Sequence, residues 1–387
     1  MKTDMFIDAD YGHRPKIGQI VCGDVFMNEK IKNENRLVAV LSDGLGSGIK
    51  ANILAKMTAS MALNFTVNNQ PLERSAISIK QTLPICEVRK IAFATFTIVD
   101  TEFDGFTRII EYGNPQFVVF RRNQLLELKT VVNAENELSV SEFNAEIEDR
   151  IILFSDGVSQ SGIGLKDMPF GWGNSEMIKY IQNKLTHNPH ISAKDLQKTI
   201  ISRASLNDNL KPQDDTSCGV LYFRTPRQLI LCSGPPYDKN KDAQMVDMVS
   251  NFPGHKVISG GTTAQIFARE LKRPVEVDLS NVNPELPPIA TIEGIDLVTE
   301  GILTLGKSAE ILKNKEHNSV SSNNPAVILS ETFLNHDKIT FLIGTRINEA
   351  HQDPKMPVEL EIRRNVIKKI AYLLEKKYLK EVEIKYI

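Results

Sequence analysis

Four acidic positions each end an apolar run or sit in a turn beside one: Cys22-Gly23-Asp24, Leu41-Ser42-Asp43-Gly44, Phe154-Ser155-Asp156-Gly157 and Gln213-Asp214-Asp215-Thr216. Carboxylates at strand ends can converge even when they are distant in sequence. Gathered without basic partners, they repel and raise each other's pKa unless a cation neutralises them. Ligation by oxygen alone suits magnesium or manganese rather than zinc. The glycines after Asp43 and Asp156 allow a tight turn and let a backbone carbonyl approach an ion. Taken singly, each Asp-Gly is plain turn chemistry. Four such positions, two of them in near-identical Ser-Asp-Gly contexts after apolar runs, favour a site.

Those turns need strands to hold them. Residues 37–41, 91–99, 117–120 and 151–154 are short, apolar runs bounded by Gly, Asp or Asn, which predicts strands. Between Gly48 and Val67, Ile49, Ile53, Leu54, Met57, Met61 and Leu63 recur about every third or fourth position. That spacing predicts a helix, with Ser47 as its N-cap. Residues 157–173 are glycine-rich and read as a loop, and 175–185 as a helix. From Pro226 onward the pattern changes. Strand-like segments at 229–232, 255–259, 275–279, 295–298, 339–343 and 382–387 alternate with helical ones at 242–251, 262–272, 303–313 and 363–380. Alternation of this kind predicts an α/β domain with a mainly parallel sheet. Two domains are expected, 1–224 and 226–387, with residues 316–324 as an exposed low-complexity loop.

At its acidic turns the first domain resembles the PPM group of metal-dependent serine/threonine protein phosphatases, in its bacterial SpoIIE-like branch. The matching pieces are Gly23-Asp24, Ser42-Asp43-Gly44-Leu45-Gly46-Ser47-Gly48 before a helix, Tyr112-Gly113-Asn114-Pro115, Phe154-Ser155-Asp156-Gly157 and Asp214-Asp215-Thr216-Ser217. They cover residues from about 16 to 224. The resemblance implies an α+β fold, a layered antiparallel β-sandwich flanked by helices, with two divalent cations, manganese or magnesium, at one end. Carried over by position, Asp43 bridges both ions, Asp24 and the Gly44 carbonyl serve one, Asp156 and Asp214 the other, and Asp215 stands behind them. It also implies a metal-activated water as nucleophile and a phosphorylated regulatory protein as substrate, an anti-anti-sigma-type domain being one instance. Two departures stand out. Leu45 occupies the place where many animal and plant relatives have a histidine. No arginine matches their phosphate-binding residue; Arg14 and Lys16, upstream of Asp24, are the candidates, with an exposed strand charge as the plainer reading.

The rest of the sequence narrows the classes. With 46 basic and 48 acidic residues the net charge is −2, so a general nucleic-acid binder is not expected. Cys22, Cys86, Cys218 and Cys232 show no zinc spacing, and the seven histidines no metal motif. Redox control is the sharper reading of Cys22 and Cys218; small buried hydrophobes is the plainer one. No signal-peptide core or membrane-spanning run is seen, so a cytoplasmic location without membrane attachment is expected. In the second domain, Gly260, Gly261, Thr262 and Thr263 follow a strand and open a helix, a candidate anion site that a tight turn also explains. Asp278 ends the next strand, 18 residues after Gly260, about where dinucleotide folds place a ribose-binding acid. The last helix carries a basic face, from Arg363 to Lys380, that reads as solvated. The first expectation is therefore a phosphoprotein phosphatase. The alternative is a sensor whose α/β domain binds a small anion, with the phosphatase domain as output or relic.

Overall fold

The computed structural model describes residues 5–82, 94–133, 137–278, 286–314, 323–346 and 356–387. Cys86, the start of the strand expected at 91–99 and most of the 316–324 segment lie outside them. The chain forms two compact units, Met1–Thr225 and Pro226–Ile387. Among the described residues no helix is long and apolar enough to cross a membrane.

The first unit holds two antiparallel sheets. One has six strands in the order Val25–Ile31, Arg36–Gly44, Ala94–Glu102, Phe106–Tyr112, Leu138–Asn144 and Thr130–Asn133. The other has five, in the order Phe6–Arg14, Thr216–Arg224, Arg150–Phe154, Val118–Arg121 and Gln124–Leu125. Successive side chains on a strand face opposite ways, and here both faces are dry. Val38, Val40, Phe96, Ile98 and Ile110 pack with Ala59, Ala62, Ala76 and Ile79 of helices Gly48–Val67 and Leu72–Thr82. The alternate residues, Leu37, Ala39, Leu41, Val99 and Ile109, are just as buried. On the second sheet Phe120, Ile152, Phe154 and Val220 pack on helices Asn174–His187 and Ala193–Asn207. The sheets meet where Tyr11 stacks on Phe26, ring centroids 5.0 Å apart, and where a Cβ on Gly219 would lie 2.7 Å from the Phe26 ring. Helix, sheet, sheet, helix is the layered α+β sandwich that the family resemblance implies.

Helix Gly48–Val67 departs from its expected pattern. Its buried side is Gly48, Ala51, Ala55, Thr58, Ala59, Ala62 and Thr66, whereas Ile49, Ile53 and Met57 are exposed. The cause is close approach. A Cβ on Gly44 would lie 2.1 Å from the Ala51 carbonyl oxygen, so only small residues let this helix lie on the strand it follows.

The second unit has one seven-stranded sheet, in the order Glu276–Val277, Ala290–Ile292, Ile295–Thr299, His255–Ser259, Gln228–Ser233, Lys338–Ile343 and Glu381–Tyr386. The last five are mutually parallel and the first two antiparallel. Leu229, Leu231, Val257 and Phe341 face helices Ile302–Asn314, Pro325–Asn335 and Met356–Tyr378. Ile230, Cys232, Ile258 and Leu342 face helices Asp242–Ser250 and Gly261–Leu271. Helices on both faces of a mainly parallel sheet are the α/β arrangement expected. Strand order reverses between Gln228–Ser233 and Lys338–Ile343, a topological switch point.

Candidate active site

Each acidic position sits where a strand begins or ends. Asp24 precedes Val25–Ile31, and Val25 pairs with Ser42, one residue before Asp43. Asp156 follows Arg150–Phe154, whose Phe154 pairs with Cys218, a few residues after Asp214 and Asp215. One end of each sheet therefore carries part of the set.

Polar and glycine contacts hold these turns together. The Asn52 side-chain amide, on helix Gly48–Val67, donates to the Cys22 carbonyl (2.8 Å). The Ser217 N–H donates to Ser155 Oγ (2.9 Å). Glycine at 157 is required because a Cβ there would lie 2.1 Å from the Asp215 carbonyl oxygen.

Electrostatics marks these carboxylates as a group. Asp24 is 2% exposed, with the Ser155 and Ser217 hydroxyls beside its carboxylate and, among the described residues, no cation paired to it. Burial pushes its carboxyl above the usual range, and Asp215 adds to the rise. Asp43 is raised well above that range, first by burial, then by the charges of Asp24, Asp156 and Asp214. Asp156 is raised by burial and by Asp214. Asp43 is thus the centre of a set that feels all three other aspartates. Asp215 is buried, with Oδ1 accepting from the Lys16 N–H (3.0 Å) and Oδ2 without a partner.

Of the two upstream cations, Lys16 reaches the set: its Nζ stands 3.8 Å from Asp214 Oδ1, both side chains being well exposed. Such an exposed pair adds little stability and leaves Asp24 and Asp43 uncompensated. Buried, all-oxygen donors that few basic groups offset fit a hard divalent cation. Among the described residues no three acidic, histidine or cysteine side chains stand at ion-holding positions, so charge, not coordination geometry, speaks for the cation. Cys22 and Cys218 are buried and their thiols are pushed far up by burial, which leaves them unreactive.

Two further residues brace the site. Asn114 Oδ1 accepts from Thr95 Oγ1, while Nδ2 donates to Thr97 Oγ1 (3.0 Å) and the Leu41 carbonyl (3.4 Å). Thr95 is the strand partner of Asp43, so Asn114 clamps the strand pair that presents it. Glu111 accepts from the Phe117 N–H (2.9 Å) and closes the same corner; burial lifts its carboxyl to about 8. The sequence reading quoted Asn114 without a role and passed over Glu111. A glutamate set between Ile110 and Tyr112 at the apolar end of its strand was the available signal.

In the second unit, Thr263 Oγ1 accepts from the Gly234 N–H (2.9 Å), Thr262 is exposed and Thr263 buried. Gly260 has φ 127°, a conformation that demands glycine; a Cβ at Gly261 would meet nothing within 4 Å. Asp278 does not join them. It follows the two-residue edge strand Glu276–Val277, on the antiparallel side of the sheet, so its position matches no ribose-binding acid.

No curated protein matches the chain. Among solved structures it is similar to the SpoIIE phosphatase domain from Bacillus subtilis in a form without domain swapping (13% identity, TM-score 0.44, 58% of this chain and 95% of that one). It is similar to the PP2C domain of the same protein with a fragment of its regulatory domain (14%, TM-score 0.49, 57% and 63%). It is also similar to the RsbU and RsbW domains of a Mycobacterium tuberculosis protein (15%, TM-score 0.45, 64% and 67%). The family model described as stage II sporulation protein E matches residues 33–224. That match spans most of the first unit, whose sandwich and acidic end are thus those of a stretch similar to the SpoIIE family.

Proposed function

We propose that the chain hydrolyses phosphoserine or phosphothreonine on a regulatory protein, using two manganese or magnesium ions held by Asp24, Asp43, the Gly44 carbonyl, Asp156 and Asp214, with Asp215 behind them. The observation that carries this is Asp43 gathered with three neighbouring carboxylates, one of them the buried Asp24, with no basic side chain among the described residues paired to Asp24 or Asp43. When bound, divalent ions would supply charge neutralisation and Lewis acidity toward a phosphoryl group and water. The chain's own residues do the rest. Asn114 and Glu111 fix the Asp43 strand end, Asn52 fixes the Asp24 turn, and Lys16 offers a cation at the open side near Asp214. Leu45 brings no proton donor to the place after Gly44, and the two buried thiols bring no nucleophile. Hydrolysis of p-nitrophenyl phosphate with manganese, abolished by chelator, is the expected result; turnover that survives the chelator would refute the reading.

A second reading, anion binding by the α/β unit, draws on its carboxyl edge. There Gly234 and Gly260 have positive φ beside the switch point, and Arg346 has a buried Nη1 without a partner. A phosphate-dependent rise in the melting temperature of fragment 226–387 would support it.

A further inference from the structure

The segments around the carboxylates expose large apolar side chains. Ile20 is 98% exposed, Phe170 88% and Ile49 67%, and Ile53, Met57 and Ile163 are also exposed. These segments form one collar. The Ile17 N–H donates to the Pro212 carbonyl (2.8 Å), the Gly162 N–H to Asp208 Oδ1 (2.6 Å), and Gln160 Nε2 to Asp156 Oδ2 (3.1 Å). Gly48, at the start of the helix that bears Ile49, abuts Gln19. Apolar surface gathered around a polar centre marks an interaction site. The helix makes the point most directly, since alanines suffice for its inner side and isoleucines and a methionine face out.

Beside Asp24 the collar opens into a cleft of about 260 Å³, lined by Tyr11, His13, Ile20, Phe26 and Asn52. Tyr11 stacks between His13 and Phe26, centroids 5.2 and 5.0 Å away. One wall is thus a stack of rings suited to an apolar side chain. Charge defines the rest of the partner. On these segments Lys50, Lys56, Lys166 and Lys211 are exposed, against Asp167 as the exposed acid apart from the site's own carboxylates.

Resting on the phosphatase reading above, we propose that collar and cleft select phosphorylated polypeptides with large apolar and acidic residues next to the phosphorylated one, an apolar side chain entering the cleft beside Asp24. The lysines meet the acids, and the exposed isoleucines and Phe170 cover the apolar neighbours.

The test compares two phosphothreonine peptides of equal length, one flanked by Leu and Glu, the other by Ser and Lys, on the full chain with manganese. Wild type should favour the first in kcat/KM by about tenfold or more, chiefly through KM, as expected for burying one apolar anchor. Ile20→Ser with Ile53→Ser should remove most of that preference relative to the p-nitrophenyl phosphate rate. Both positions are exposed, so the melting temperature should stay. Anisotropy of the labelled peptides in the same samples reads the preference without turnover, which separates failure of the surface from failure of the phosphatase reading. Equal handling of the two peptides, or a preference untouched by the substitutions, would overturn the proposal. So would a dimer in sedimentation that these substitutions split while the preference persists, since the collar would then serve a second copy of the chain.

Discussion

Asp43 is raised by burial and by three carboxylates, so its charge costs the metal-free fold energy. Asp43→Asn should lower manganese-dependent turnover by roughly 100-fold or more, the scale of single electrostatic groups in active sites. It should also raise the metal-free melting temperature of the first unit by a few degrees, about what relief of 1 kcal/mol gives. Turnover close to wild type would reduce Asp43 to a turn residue. Glu111 makes a separate pH prediction. Its carboxyl is raised from 4.5 to about 8 by burial. Below pH 4.5 both folded and unfolded chains hold the proton. Between 4.5 and about 8 the unfolded chain releases it and the folded chain keeps it, so stability falls as pH rises through that window. Glu111→Gln keeps an acceptor for the Phe117 N–H and does not titrate, so its stability relative to wild type should climb from pH 5 to 8; a gap independent of pH would contradict the buried position. The aspartates could be named from sequence because each ends an apolar run or sits in a turn beside one. Asn114 could not be given its role, since a side chain bridging Thr95, Thr97 and Leu41 depends on pairing across strands, which no local pattern shows.

At the scale of elements, sequence told helix from strand better than it told which side of a helix is buried. The recurrence of Ile49, Ile53 and Met57 predicts helix Gly48–Val67, yet those side chains face solvent because Gly44 and Ala51 come too close for anything larger beneath. Gly44→Ala should therefore push the helix off its strand, costing about 1–3 kcal/mol as overpacking does, and should depress activity with it. Helix Ala193–Asn207 was not read from sequence, although Ser192-x-x-Asp195 is a capping signal: Ser192 Oγ accepts from the Asp195 N–H (3.1 Å) and donates to its carboxylate (2.7 Å). Ser192→Ala should cost about 1 kcal/mol and leave p-nitrophenyl phosphate turnover unchanged, so the pair of variants separates loss of stability from loss of the site. If Gly44→Ala lost no more activity than Ser192→Ala, the close approach would carry no catalytic weight.

Across the whole molecule, burial is divided between two sets of cores. The clusters built on Phe120 and Val38 draw on residues before Thr225, and those built on Leu229 and Ile230 on residues after it. Composition could not foretell that division, but the change at Pro226 from strand-rich runs with few helices to strands alternating with helices did carry the change of architecture, because parallel strands need crossovers and antiparallel ones do not. The proposed ion ligands all lie in the first unit. An ion that binds only the folded form stabilises by RT ln(1 + [L]/Kd), about 2.7 kcal/mol at a hundred times Kd, or roughly 5–10 °C for a domain of this size. Calorimetry of the full chain should accordingly show manganese raising one transition by that amount, with the transition seen in isolated fragment 226–387 left in place. A manganese-induced rise in the fragment's own transition would put an ion in the α/β unit. No rise in either would remove the aspartates' claim to one.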